Sequence, residues 1–480
     1  MDDPVHRRSL HPPTYADGDL AESSRPNWVL LDFRAYFADR RNATNASCKT
    51  RNGKDAIQVT FFPAHRPRLS YFCVHVHCHG ADPSRRLVWE PPKVIATGGS
   101  FILLRVSTGR CYATVCSSLI NEYYVYRAGG SSGEAPSLEL LPHPCPYDFF
   151  DGQVGLLSRG TEYTIAALRD DSSIRASFEP GQYEISLFHS EHKVWTTMDV
   201  SVPPEQQQQH CSIEKEGFWH KTSKAITVGG EHGTMAFVDL WNGILLYDVF
   251  RGDPKLRYVP MPQQLYPSRR PNSCSSITRD IAIVKDSIKV VQVLMKPGSG
   301  KASHSPSDGW VAATWSRLAN FPQEDSWSQD FKLEDSDING DNNPMHFELL
   351  KRLPADNEAL SLDRFCIGHP MISLDDNDIV HFTITVENKA WVIAIDMRYR
   401  MLQGVAEFGS ERTFGITATY TQSRISEHLN MSPGTEGNLK RPGMQLLGSC
   451  SKKLFRISSV GNVEVEAADN VEVTAAADMI

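Results

Sequence analysis

The sequence predicts an all-β protein, a β-propeller of five or six blades built from short antiparallel strands, with two packed β-sandwiches as the alternative. Short runs rich in Val, Ile, Tyr, Phe and Trp follow one another along the chain, and clusters of Gly, Pro, Asp, Asn and Ser separate them. Helical periodicity is scarce, and the best helical candidate, Thr421 to Leu429, is short and lies near the C-terminal end.

A unit of two strands joined by a turn recurs along the chain. The five units are Tyr123–Arg127 with Leu138–Pro142, Tyr183–Phe188 with Val194–Met198, Gly243–Asp248 with Leu256–Pro260, Trp310–Trp315 with Trp327–Phe331, and Trp391–Asp396 with Val405–Phe408. Their spacing is roughly 55 to 75 residues, longer than the roughly 40–50 residues of a propeller repeat, so we expect insertions. The segments Trp28–Phe33, Ile57–Phe62 and Leu69–Val76 supply enough strands for a sixth unit.

Radial repetition solves a problem that many short strands create. Unpaired strand edges promote aggregation, and blades stacked around an axis leave only short, protected edges. We therefore expect one propeller-like domain over residues 27–430, a disordered N-terminal tail over residues 1–26, and a mostly flexible acidic tail over residues 431–480.

Composition and charge limit the classes of function. The 480 residues are 40% hydrophobic and 22% charged, which is typical of a folded globular chain. The formal net charge of −8 disfavours binding to nucleic acid or to an anionic membrane through bulk charge. The polar, proline-bearing N-terminus and the ten dispersed cysteines predict an intracellular protein, cytoplasmic or nuclear, with free thiols.

The densest cluster of potential metal ligands is Cys73-Val-His-Val-His-Cys78-His79. Strand alternation places Cys73, His75, His77 and His79 on one face, and thiolate plus imidazole suits zinc. Four such residues extend too far along a strand for one tetrahedral site, so at most two or three converge. We favour a half-buried strand whose polar face holds histidines, and we predict no cofactor.

Three other strings resemble known sites but lack essential parts. Asp335 to Asp341 resembles the first half of a calcium loop, but its twelfth position is His346 where a bidentate glutamate belongs, so we expect a solvated acidic loop. Gly129 to Gly133 matches the nucleophile-elbow string, but Glu-Ala-Pro and a strand follow it where a helix should begin. Gly298 to Lys301 lacks the first glycine and the magnesium-binding hydroxyl of a phosphate loop.

Tryptophans and one glycine in the strand strings form a candidate structural motif: Trp241, Gly243, Trp310, Trp315 and Trp391. We expect the tryptophans to pack between blades. The neighbouring aspartates Asp239, Asp248 and Asp396 are expected to bond the backbone amides of turns.

Taken together in order, several segments resemble the plant proteins that carry domain of unknown function 1618, common in grasses. They are Asn27–Asp32, Phe237–Asp248, Leu256–Pro262, Arg279–Val284, Gly309–Trp315, Ala390–Arg398 and Tyr420–Gln422, within about residues 27–430. The resemblance implies no established activity, cofactor or catalytic residue. The family is also similar to the F-box-associated propeller domains of plants, although residues 1–60 show no F-box.

The sequence therefore favours a non-enzymatic propeller that binds an unidentified protein partner. Two alternatives remain open at this point. One is a hydrolase or lyase with its site in the propeller channel, and the other is a ubiquitin-ligase substrate adaptor without a visible F-box.

Overall fold

The computed structural model describes much of the chain up to Leu429. The described residues are 11–13, 26–77, 91–108, 121–130, 133–144, 149–169, 179–210, 218–265, 274–296, 309–320, 326–338, 345–351, 353, 362, 365–375, 377–386, 389–408 and 419–429. Most of the expected N-terminal tail and all of residues 431–480 lie outside them, so the tail boundaries stay predictions.

Five four-stranded antiparallel sheets follow one another along the chain, and each uses four consecutive strands. We call them blades 1 to 5. Blade 1 contains β6 (Lys93–Gly98), β7 (Phe101–Ser107), β8 (Asn121–Arg127) and β9 (Ser137–Leu140). Blade 2 contains β10 (Val154–Arg159), β11 (Glu162–Arg169), β12 (Gln182–His189) and β13 (Val194–Ser201). Blade 3 contains β14 (Lys224–Gly229), β15 (Thr234–Asp239), β16 (Gly243–Asp248) and β17 (Arg257–Pro260). Blade 4 contains β18 (Arg279–Val284), β19 (Ser287–Met295), β20 (Trp310–Leu318) and β21 (Ser328–Glu334). Blade 5 contains β22 (Ile367–Ile372), β23 (Ile379–Val386), β24 (Lys389–Asp396) and β25 (Met401–Glu407).

The sixth sheet joins strands from both ends of the described chain. Blade 6 contains β1 (Val29–Asp32), β2 (Tyr36–Phe37), β3 (Ala46–Lys49), β4 (Ala56–Phe62), β5 (Leu69–His77) and β26 (Tyr420–Ser423). Its order is β26-β1-β5-β4-β3, with β2 also paired to β5. β1 is antiparallel to β26 and parallel to β5.

The first strands of the blades form a closed ring. Each inner strand contacts the next in the order β6, β10, β14, β18, β22, β26, and β26 returns to β6. The protein is therefore a six-bladed β-propeller, as the sequence predicts, and the two-sandwich alternative is excluded. The five repeated strand pairs fall on the third and fourth strands of blades 1 to 5.

The propeller has two faces. Because blades 1 to 5 repeat the same strand order, their inner strands all begin at one face and end at the other. We call these the entry face, where Lys224 begins β14, and the exit face, where the hairpin Lys285-Asp286 follows β18. The described ends of the connections between successive blades lie at the entry face, whereas tight hairpins such as Lys285-Asp286 lie at the exit face.

In the described residues the hydrophobic core has six clusters between neighbouring blades and a smaller seventh cluster within blade 6. Alternate residues of one strand face opposite neighbours, so Phe237 packs toward blade 2 and Val238 toward blade 4. Both faces of a blade are thus buried, which explains why the strands read as nearly continuous apolar runs.

The described helices are short. They are α1 (Pro204–His210), α2 (Ser275–Thr278) and α3 (His346–Leu350), with 3₁₀ turns elsewhere. The expected helix at Thr421–Leu429 is wrong, because this segment forms most of β26 and a 3₁₀ helix at Ile425–His428. Pairing with β1 across the ring satisfies the backbone of β26 and overrides its local pattern. None of the described helices combines the length and apolarity needed to cross a membrane.

Candidate functional site

A polar cluster of three side chains lies at the centre of the ring. Lys224 begins the inner strand of blade 3, Asp280 lies on that of blade 4, and Gln422 lies on that of blade 6. The Lys224 ammonium donates to Asp280 Oδ1 at 2.6 Å and to Gln422 Oε1 at 3.0 Å. Gln422 Nε2 donates to Asp280 Oδ2 at 2.7 Å. Blades 3 and 6 are opposite in a six-membered ring, so the bond from Lys224 to Gln422 spans the channel.

Backbone groups complete the bonding of this central cluster. Lys224 Nζ also donates to Ile281 O at 3.1 Å, and Gln422 Nε2 donates to Ile372 O at 3.2 Å. The Ile372 amide donates to Asp280 Oδ2 at 3.2 Å. The Asp280 side chain is only 5% exposed and that of Lys224 is 22% exposed. The carboxylate is thus committed to three donors, which suits a cross-blade tie better than acid or base catalysis.

Sequence reasoning missed the central cluster because its members are far apart in the chain. A weak signal was present only at Asp280, a polar residue directly before the apolar run Ile281 to Val284. Only the closed ring shows that these positions meet.

The predicted metal-ligand candidates lie on β5. Cys73 is buried beside Tyr36 and Tyr71, and burial raises the pKa of its thiol to about 12. His75 is half-buried and His77 is exposed, with their ring centroids 4.4 Å apart. Cys78 and His79 lie outside the described residues. Among the residues that the structure describes, no group of three or more His, Cys, Asp or Glu side chains is arranged to hold a metal ion.

Three of the four motif tryptophans lie buried between blades. Trp310 and Trp391 belong to the cluster between blades 4 and 5, and Trp315 to the one between blades 3 and 4. Trp241 instead lies in the turn between β15 and β16, where the buried Arg279 guanidinium lies 5.6 Å from its ring centroid. Burial lowers the pKa of Arg279 to about 10.

Gly243 begins β16 and is required by close packing. A Cβ atom at this position would lie 2.3 Å from Cε2 of Tyr258, so no side chain fits unless the ring moves. The Tyr258 hydroxyl donates to Asn242 O at 2.9 Å, which holds the ring in this place.

The aspartates beside these strands differ in role. Asp239 accepts the amides of Trp241 and Asn242, and Asp396 accepts those of Arg398 and Tyr399, so both stabilise turns. The same expectation is wrong for Asp248, which accepts the Thr234 hydroxyl and pairs with Arg251 and Arg257 at 3.6 Å.

The three segments that resemble a calcium loop, a nucleophile elbow and a phosphate loop form no such site in the described residues. Asp335 is buried, where a solvated loop was expected, and its Oδ1 accepts Lys296 Nζ at 2.9 Å and the Trp310 amide at 3.1 Å. Asn339 to Asp341, Ser131 and Gly298 to Lys301 lie outside the described residues.

Two exposed aromatic residues mark the entry face. Phe150, in the connection from blade 1 to blade 2, is 73% exposed, and Trp219, in the connection from blade 2 to blade 3, is 59% exposed. Each follows a buried phenylalanine that anchors the connection. Phe149 packs on Tyr123 with ring centroids 4.7 Å apart, and Phe218 packs on Tyr258 at 5.2 Å. These two neighbouring connections therefore hold an aromatic side chain in solvent.

Comparison with known proteins finds one matching family model and, separately, distant structural likenesses. Residues 237–381 match the model described as "Protein of unknown function (DUF1618)", from β15 to β23, which confirms the family resemblance. No curated protein matches the chain.

Solved structures similar to this chain include propellers at very low identity. The Cps50 (Swd1) β-propeller domain of Myceliophteria thermophila is 9% identical, with a TM-score of 0.33 over 77% of this chain and 88% of that one. AztD from Citrobacter koseri is 10% identical, with a TM-score of 0.27 over 62% and 63%. Hydrazine synthase of Kuenenia stuttgartiensis is 9% identical, with a TM-score of 0.32 over 80% of each chain.

Proposed function

We propose that this protein is a non-enzymatic propeller that binds another protein through its entry face. The observation that carries this proposal is the pair of anchored, exposed aromatics, Phe150 and Trp219, on neighbouring blades. Aromatic residues are enriched in protein interfaces, and tryptophan is prominent among the residues that dominate binding energy. The buried neighbours Phe149 and Phe218 hold these two positions in place, so little ordering entropy of the exposed rings opposes binding.

The central cluster supports a non-catalytic role. An enzyme with its site in the channel needs a free acid, base or ligand-binding space there. In the described part of the channel, Lys224, Asp280 and Gln422 bond one another across it. A propeller tied in this way provides a rigid platform for loops on its faces.

We further propose that the protein acts inside the cell, in the cytoplasm or the nucleus. Cys274 and Cys366 are exposed free thiols, which suits a reducing compartment. Fractionation of cells followed by detection of the native chain tests this placement, and recovery from the secreted fraction would contradict it.

The interaction proposal is tested by quantitative affinity capture with matched variants. The double variant Phe150→Ala/Trp219→Ala removes both exposed rings, and Tyr399→Ala removes a 69% exposed ring from the exit face. We expect one set of proteins to be enriched with the native chain and with Tyr399→Ala but lost with the double variant. Truncating a dominant interface residue costs about 2 kcal/mol, or roughly thirtyfold in affinity.

The outcomes separate the alternatives. Equal capture by the double variant and Tyr399→Ala would refute an entry-face site, provided that circular dichroism shows both to be folded. Recovery of ubiquitin-ligase subunits among the lost proteins would support the adaptor form of the proposal.

A further inference from the structure

A polar cleft lies between blades 4 and 5 at the exit face. Its walls include Lys289 and Thr314 of blade 4 and Ile372, Asp378 and Val380 of blade 5. Together with the space at its mouth it encloses about 300 Å³, and its enclosed part accepts a group about the size of water.

The corresponding place between blades 3 and 4 is apolar. There the third and fifth residues of β15 and the residues opposite them on β16 all pack in the apolar cluster between the two blades. These residues are Ala236 and Val238 with Leu246 and Ile244. The equivalent residues at the cleft are Lys289 and Val291 of β19, with Ser316 and Thr314 opposite them on β20. Polar groups therefore replace three of four apolar side chains at this interface, and burying polar groups is costly unless they find partners.

A β-bulge brings an acidic side chain to the same cleft. Gln329 and Phe331 of β21 lie opposite consecutive residues of β20, so Asp330 between them is the extra residue. Bulges commonly redirect a side chain. Asp330 lines the cleft, and its Oδ1 accepts the Ser316 hydroxyl at 2.7 Å.

The two other acids of the cleft already have cationic partners. Asp378 accepts Lys289 Nζ at 3.0 Å and Arg398 at 2.6 Å, and Asp375 pairs with Arg66 at 3.1 Å. The half-buried Asp330 differs, because no cationic group of the described residues lies within 4 Å of its carboxylate. Burial raises the pKa of Asp330, while the Ser316 hydroxyl and the charges of Lys289 and Arg398 lower it and Asp378 raises it further. The pKa remains raised overall, because burial is the largest effect.

Thr314 is a second polar group of the cleft that can accept a hydrogen bond. Its side chain lines the cleft, the residue is only 7% exposed, and its Oγ1 has no hydrogen-bond partner among the described residues. A buried hydroxyl without a partner is uncommon in native proteins. A ligand with several N–H donors would satisfy both this hydroxyl and the Asp330 carboxylate.

We propose that the cleft between blades 4 and 5 binds a primary ammonium group on a short apolar chain, with Asp330 and Thr314 accepting its N–H bonds. An ammonium head is about the size of water and fits the enclosed part of the cleft. Phe331, Ile372 and Ile379 supply the apolar wall for the attached chain. The group belongs either to a free small amine or to a lysine side chain of a partner protein.

Isothermal titration of the full chain with n-butylammonium chloride at constant ionic strength tests the proposal. We expect saturable binding with a dissociation constant of about 1 mM or tighter, which is within reach of a ligand this small. Tetramethylammonium chloride carries the charge but no N–H donor, and we expect no saturable binding from it. Equal binding of the two cations would overturn the proposal, as would a crystal structure soaked in saturating amine that holds only water in the cleft.

Three variants locate the site. Asp330→Asn removes the carboxylate charge, and we expect it to weaken binding about tenfold or more. Thr314→Val keeps the shape of the side chain but removes the hydroxyl, and we expect about a fivefold loss. Asp286→Asn removes an exposed charge from the same blade at the same face and should leave binding unchanged. The same affinity in all three variants would overturn the assignment.

Nα-acetyl-lysine-N-methylamide, whose side-chain ammonium is free, distinguishes the two sources of the ammonium group. Binding at least as tight as that of n-butylammonium would indicate a lysine side chain, and binding of n-butylammonium alone would indicate a free amine. The cleft lies on the face opposite Phe150 and Trp219, so failure of this site would leave the entry-face proposal untouched, and the reverse also holds.

Discussion

Replacing Asp280 with alanine tests whether the central cluster ties the blades together. The variant leaves the Ile372 amide without its acceptor and removes one of the two acceptors of Gln422 Nε2. It also removes the carboxylate partner of Lys224. An unsatisfied buried donor costs about 1–3 kcal/mol. Breaking a buried ion pair costs about 3–5 kcal/mol, but the 22% exposure of the Lys224 side chain lets water screen its charge, so the pair contributes less here. We therefore expect a loss of about 2–4 kcal/mol in the free energy of unfolding.

Urea unfolding followed by tryptophan fluorescence and by circular dichroism measures this loss, provided that the two transitions coincide. The control is Glu407→Gln, which breaks an exposed pair with Lys389 in which the side chains are 44% and 50% exposed, and should cost less than about 1 kcal/mol. Adding Lys224→Met to Asp280→Ala should cost less than the sum of the single variants, because it removes the stranded charge. If Asp280→Ala destabilised the protein no more than Glu407→Gln, or if Asp280→Ala and Lys224→Met were additive, the cross-blade tie would be refuted.

Three further predictions concern packing, pH and thiol reactivity. Gly243→Ala should lower the free energy of unfolding in urea by about 1–3 kcal/mol, because its Cβ would meet the Tyr258 ring. Adding Tyr258→Leu to the same chain should recover part of this loss. An unchanged midpoint of urea unfolding in Gly243→Ala would contradict the packing. Burial lowers the pKa of His381 to about 3, below the roughly 6.5 of the unfolded chain, so the unfolded state binds the extra proton and stability falls as pH drops below about 6.5. Between pH 6.5 and 5 this amounts to about 2 kcal/mol, and His381→Asn should lack that slope; parallel stability curves would count against a buried neutral imidazole. Iodoacetamide should modify the exposed Cys274 of the native chain well before the buried Cys73 at pH 8, as read by peptide mapping. Burial raises the pKa of the Cys73 thiol to about 12, so little of it is the reactive thiolate. Equal labelling rates would contradict that burial.

Local pattern predicted the outer part of each blade well. The pairs such as Gly243–Asp248 with Leu256–Pro260 are hairpins of adjacent strands, and their apolar runs and turn residues are contiguous in the chain. The pattern misled at Thr421–Leu429, where a partner almost 400 residues away determines the structure. It also missed that Trp241 lies in a turn, because the apolar string continues through the turn that Asp239 stabilises.

The candidate sites were much less predictable. Cys73, His75 and His77 attracted attention because they are close in sequence, yet the thiol is buried at one end of the set and His77 is exposed at the other. Lys224, Asp280 and Gln422 gave almost no signal, because they lie on three different strands that are far apart in the chain. Asp330 became a candidate only through a bulge, which depends on the register between β20 and β21.

The sequence alone determined the class of this protein: many short strands, repeated strand pairs, scarce helices and a net charge of −8. These properties follow from side-chain alternation, turn chemistry and composition, which act over a few residues. The tertiary structure decided the number of blades, the closure of the ring by β1 and β26, and the residues that meet in the channel and between blades 4 and 5. Those features depend on backbone pairing and side-chain contacts between residues far apart in the chain, and they arise only when the ring closes.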